Sequence, residues 1–147
     1  MPKEFSIFTD TATLSVFDLG AIKHRVSDAP DWWSIVEDEI LEINKGNIAF
    51  LGLGDDGSYT IKVLDSIENA AGTLNLHFPS GKVFIGAGED TSGGDLEPDG
   101  SDVIQGETLD FTTGHYSIRF ARTGNTIALC FSPTSEKHNT LKEPIRI

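Results

Sequence analysis

Short stretches of alternating apolar and polar residues recur along most of this 147-residue chain, separated by glycine-bearing turns. A period of two belongs to a strand with one buried face, because successive side chains leave opposite sides of a pleated backbone. The pattern predicts strands at 4–9, 11–17, 47–53, 59–64, 73–78, 82–86, 115–122 and 125–131, with shorter ones at 107–111 and 144–147. Tyr116, Ile118 and Phe120 then fall on one side, and His115, Ser117 and Arg119 on the other. Gly54-Asp55-Asp56-Gly57-Ser58 separates two of these stretches. Asp-Gly tolerates the positive backbone angles of a tight turn, so this segment reads as a hairpin loop. Pro79-Ser80-Gly81 and Thr123-Gly124 join two further pairs.

One segment departs from the pattern. Between Asp31 and Lys45 the apolar positions Trp33, Val36, Ile40 and Ile43 recur at spacings of three and four, which gathers them on one helical face. Asp31 or Ser34 can cap the start, Glu37 stands three after Ser34 as in a capping box, and Lys45-Gly46 supplies a stop. Glu37, Asp38 and Glu42 are expected to project from the opposite side. The fold class is therefore mainly β: an antiparallel two-sheet β-sandwich with one amphipathic helix at about 31–45. Residues 1–147 are expected to form a single domain, since this length can bury its own core.

Charge narrows the partners. The chain carries a net charge of −12, and between Lys82 and Arg119 it has eight carboxylates and no Lys or Arg. Such a surface repels nucleic acid and attracts a basic protein or a divalent cation. No apolar run reaches the ~18 residues of a membrane span, and the N-terminus has no signal-peptide pattern. Cys130 is the only cysteine, which precludes an internal disulfide and fits a cytoplasmic setting. Within Ile127-Ala128-Leu129-Cys130-Phe131 it reads as a buried structural thiol.

Candidate catalytic chemistry is sparse. His24, His77, His115 and His138 share no metal-ligand spacing, and no Ser or Cys lies in a nucleophile elbow. Thr91-Ser92-Gly93-Gly94 lacks the lysine of a phosphate-binding loop. The carboxylates cluster with Gly and Asp, which favours exposure over the sheltered site a catalytic acid needs. A non-enzyme without a cofactor is the expectation. The loop at 86–106 is long enough to be functional or disordered. Its Asp95, Glu97, Asp99 and Gly100 resemble the opening of an EF-hand, but Glu107 arrives one place late for the closing ligand. A calcium-dependent ligand-binding β-sandwich, with Asp95, Glu97 and Asp99 as ligands, is the alternative reading.

The order of elements also resembles the competence-type inhibitors of bacterial DNA-entry nucleases. The resemblance lies in an early strand (Phe5-Ser6-Ile7-Phe8), Asp31-Trp32 leading an acidic helix, a Gly-initiated strand (Gly46-Asn47-Ile48-Ala49-Phe50) and a late Gly-x-Tyr strand (Gly114-His115-Tyr116-Ser117-Ile118-Arg119-Phe120). It implies an inhibitor or immunity protein that neutralises a partner nuclease or toxin. An acidic protein suits the basic groove such an enzyme presents to phosphates. The contact surface expected from the residues comprises Trp32, Glu37, Asp38, Glu39 and Glu42 with the loop acids Glu89, Asp90, Asp95, Glu97, Asp99 and Asp102.

Overall fold

The computed structural model describes residues 3–9, 12–18, 20–21, 36–87, 106–136, 138–143 and 145–147. The described elements run β1 (Lys3–Thr9), β2 (Thr13–Asp18), α1 (Val36–Asn44), β3 (Ala49–Gly52), β4 (Gly57–Leu64), β5 (Gly72–Phe78), β6 (Lys82–Ala87), β7 (Gly106–Asp110), β8 (Gly114–Thr123), β9 (Thr126–Pro133) and β10 (Ile145–Arg146). They build two five-stranded sheets, one ordered β1-β4-β9-β8-β5 and the other β10-β3-β2-β6-β7. Mainly-β architecture with two packed sheets and one helix is what the periodicity predicted.

Alternation supplies the core. Tyr59, Ile61, Val63, Leu74, Leu76, Phe78, Tyr116, Ile118 and Phe120 point inward from the first sheet, and Ser117, Arg119 and Lys62 stand on its other side. The second sheet differs, because all six residues of β2 are buried. Leu14 and Val16 leave one face, while Ser15 and Phe17 leave the other beside Phe50 and Phe84. Both faces of this sheet are covered, so polar Thr13, Ser15 and Asp18 are enclosed with apolar neighbours. The Ser15 hydroxyl donates to the Gly86 carbonyl at 3.1 Å, which meets the requirement that a buried polar group be bonded.

The chain changes sheet at several turns that sequence alone pairs locally. β3 and β4, expected to form a hairpin around Gly54–Ser58, lie in different sheets. Leu53 donates its N–H to Ala12, and the Tyr59 hydroxyl donates to the Asp55 carbonyl at 2.6 Å, turning the segment into a corner. β5 and β6 also part at Pro79-Ser80-Gly81. Only the β8–β9 turn is a hairpin as expected, with Thr123 opposite Thr126. Because the β8–β9 hairpin inserts between β4 and β5, β9 lies parallel to β4. β10 likewise runs parallel to β3, so both sheets are mixed and not purely antiparallel. The cause is topological: a strand reached by a crossover is free to take either direction.

Helix α1 ends where the sequence placed its stop. Gly46 donates to the Ile43 carbonyl at 2.9 Å and Asn47 to the Glu42 carbonyl at 3.1 Å, the paired bonds of a Schellman turn. The expected start and caps at 31–35 lie outside the described residues. The turn then closes the edge of β5: His77 donates to the Gly46 carbonyl at 2.7 Å. Asn139 completes that edge, accepting from the Asn75 N–H at 2.8 Å and donating to the Asn75 carbonyl at 2.9 Å. A side-chain amide here takes the place of a neighbouring strand and leaves less edge open for aggregation.

Candidate functional site

The acidic first turn of α1, Glu37, Asp38 and Glu39, together with Glu42, is the described part of the expected contact surface. These acids do not share one environment. Glu37, Leu41 and Lys45 form the exposed ridge, at spacings of four that align them along the helix. Asp38 and Glu39 are half-buried. Burial pushes the Glu39 carboxyl above the usual carboxylate range, and the Arg146 guanidinium partly pulls it back.

Glu42 needs a correction. Expected on the solvent side, it is only 1% exposed, and its carboxylate accepts from the Asn47 side-chain amide at 2.8 Å. The Schellman turn folds Asn47 back beneath the last helical turn, which draws Glu42 inward beside the fully buried Ile43. Trp32 and the loop acids Glu89, Asp90, Asp95, Glu97, Asp99 and Asp102 lie outside the described residues.

Beside α1 runs an open groove of about 620 Å³, with Ile40 and Leu41 on its floor and Glu37, Lys45, His138 and Lys142 around it. Leu41 is 45% exposed. The charges here are mixed, so this face is not the uniform acidic surface that the helix composition alone predicts.

A second concavity was not legible in the sequence. Parallel pairing of β4 and β9 brings both strand ends to one margin of the sandwich, where they meet the end of β7. The result is a cleft of about 580 Å³. Its floor holds Phe111, Tyr116 and Phe131; the Phe111 and Phe131 rings stand 4.9 Å apart, and Tyr116 meets Phe111 edge-on at 5.5 Å. Phe78 packs against all three rings. The Tyr116 hydroxyl donates to the Thr112 carbonyl at 2.7 Å. Lys3, Asp65 and Asp110 stand around the opening. Lys3 pairs with Glu107 at 3.8 Å, and Asp110 with Lys82 at 3.6 Å. The signal available beforehand was two aromatics, Phe111 and Phe131, at strand ends; strand pairing was needed to bring them together.

Other candidate chemistry resolves into structure. His77 and His115 face each other across β5 and β8 with rings stacked at 4.6 Å. Cys130 is buried, and its thiol donates to the Asp65 carbonyl at 3.4 Å. Among the described residues no cluster of three His, Cys, Asp or Glu could hold a metal ion. The proposed calcium ligands Asp95, Glu97 and Asp99 lie outside them. No helix of the described residues is long and apolar enough to cross a membrane.

A mainly-β, two-sheet protein with an acidic helix turn and an aromatic cleft is thus the class defined by the geometry. The chain belongs to the family described as a family of unknown function, DUF6386, which matches residues 1–147. No curated protein matches it in sequence. Two solved structures share its fold. The protein described as crocagin biosynthetic gene J superposes with a TM-score of 0.57 at 14% identity, over 90% of this chain and 97% of that one. ComJ from Bacillus subtilis, an inhibitor of the DNA-degrading activity of NucA, superposes with a TM-score of 0.50 at 14% identity, over 90% and 96% of the two chains. At this identity the likeness is one of fold.

Proposed function

We propose that this protein is a non-catalytic acidic inhibitor, an immunity-type protein that binds and neutralises a basic nuclease or nuclease toxin in the cytoplasm. The observation that carries this reading is the net charge of −12 on a fold shared with ComJ, itself an inhibitor of a DNA-degrading enzyme. A nuclease presents positive potential to phosphate backbones, and an acidic protein competes for that potential. Complementary charge also speeds encounter, towards roughly 10⁸–10⁹ M⁻¹s⁻¹ at low salt, which suits a molecule that must act before DNA is cut. In this reading Glu37, Asp38, Glu39 and the loop acids Glu89, Asp90, Asp95, Glu97, Asp99 and Asp102 meet the partner, with Trp32 as an aromatic anchor. Buried Glu42 takes no part.

The test is affinity capture from the native host at low ionic strength, followed by a DNA-degradation assay on the purified captured protein. The reading expects a basic nuclease, inhibited at stoichiometric ratio and released by salt. Capture of a non-nucleolytic partner alone, or a captured nuclease whose activity is unchanged by saturating amounts of this protein, ends it.

A further inference from the structure

We infer that the cleft at the β4–β9 margin is a docking site for an arginine side chain of the basic partner; this rests on the reading of the protein as a binder of a basic protein. The floor presents the half-buried rings of Phe111 and Phe131, with Tyr116 packed beneath them at 9% exposure. The Tyr116 hydroxyl is already spent on the Thr112 carbonyl, so the floor offers aromatic surface and not a phenolic donor. Asp65 and Asp110 add exposed carboxylates to the cleft lining, and carboxylate oxygens accept hydrogen bonds.

An occupant that satisfies both halves is planar, apolar on its faces and cationic with donors at its edge. A guanidinium has this combination: it stacks on aromatic rings while its edge N–H groups reach a carboxylate. An ammonium lacks the plane, and a phenyl group lacks the charge. The methylene stem of the arginine would lie along Val63 and Leu109, which line the same cleft. Among the described residues the one cation in the cleft lining, Lys3, is engaged with Glu107 at 3.8 Å. In Lys82–Asp110 the side chains are 65% and 87% exposed, so this pair is weak and exchangeable. Charge complementarity names the source: a chain of net charge −12 draws cationic protein surface to itself, and arginine is enriched at interface hot spots.

The experiment titrates the isotopically labelled full chain with the peptide acetyl-Gly-Arg-Gly-amide, and with its lysine and citrulline counterparts at equal ionic strength, by NMR. The expected result is saturable movement of the Phe111, Tyr116 and Phe131 ring signals by the arginine peptide. Affinity should fall by about five-fold or more for lysine, for citrulline, and for the double variant Asp65→Asn, Asp110→Asn. Those substitutions are at exposed positions, and an unchanged amide spectrum away from the cleft verifies the fold. Three results overturn the proposal: shifts spread over the surface with the rings unmoved, citrulline binding as well as arginine, or no saturable shift. Any of these leaves the capture experiment free to succeed; conversely, a cleft that selects arginine alongside a host with no inhibited nuclease removes the function and keeps the site.

Discussion

Asp18 and Ser80 are joined twice across 62 residues of sequence: the Ser80 N–H donates to one carboxylate oxygen at 3.0 Å and its hydroxyl to the other at 2.6 Å. Gly81 and Gly20 add N–H bonds at 2.7 Å each. One fully buried side chain thus fixes the corner where β5 leaves the first sheet and β6 enters the second.

Removing that carboxylate leaves buried N–H groups without an acceptor. Asp18→Ala is expected to cost about 2–4 kcal/mol, and Asp18→Asn about half as much, because one oxygen acceptor survives. Urea unfolding measures both. An Asp18→Ala midpoint equal to the parent's would show that the corner holds without this anchor.

Gly81 and Gly124 both have left-handed backbones, with φ of 82° and 58°. Their surroundings differ: a Cβ on Gly81 would collide with the Phe111 carbonyl oxygen, whereas one on Gly124 meets nothing within 4 Å. Gly124→Ala should cost about 1 kcal/mol from conformation alone. Gly81→Ala should cost about 3 kcal/mol or more, since a backbone atom must also move. Thermal melts of the pair separate the two contributions, and equal losses would refute the steric argument.

The raised pKa of Glu39 links pH to stability. Burial favours its neutral form in the folded state, so its protonation supports folding. That support is complete below the ordinary carboxylate pKa and disappears as pH rises through the higher folded value. Glu39→Gln should therefore be more stable than the parent at neutral pH, with the difference shrinking on acidification. Melting temperatures between pH 4 and 8 check this, and a difference that grew towards acid would reverse the assignment. Arg146 opposes the effect, so Arg146→Gln in the parent should enlarge it.

If the loop acids steer a basic partner, Asp95→Lys with Asp99→Lys should slow association by about ten-fold at low salt and leave the melting temperature unchanged. The difference should narrow above the salt concentration that screens exposed charge. Stopped-flow mixing at two ionic strengths measures it. Equal association rates at low salt would remove this loop from the interface.

Much of the fold was legible because side-chain period is a local property. Tyr116, Ile118 and Phe120 announced their inward face, Lys45-Gly46 announced the helix stop, and Ile127 to Phe131 announced a strand with its thiol buried. Helix exposure is less local. Glu42 has a charged side chain at a position read as solvent-facing, yet a contact to Asn47, made only when the chain reverses, encloses it.

The sequence by itself determined which segments are strands and where the helix stops, since both depend on neighbours within a few residues, and the sign of the protein's charge, which is a sum over composition. Tertiary structure alone decided which sheet each strand joins. A Gly-Asp turn such as Gly54–Ser58 serves a hairpin or a corner equally well, and the choice rests on hydrogen bonds to distant partners, Ala12 for Leu53 and Asp18 for Ser80. The aromatic cleft follows from the same choice: the β8–β9 hairpin sets Tyr116 beside Phe131, but Phe111 joins them only once its N–H has bonded to Gly81 at the corner between the sheets, and the parallel β4–β9 pair adds the wall of Val63 and Leu64.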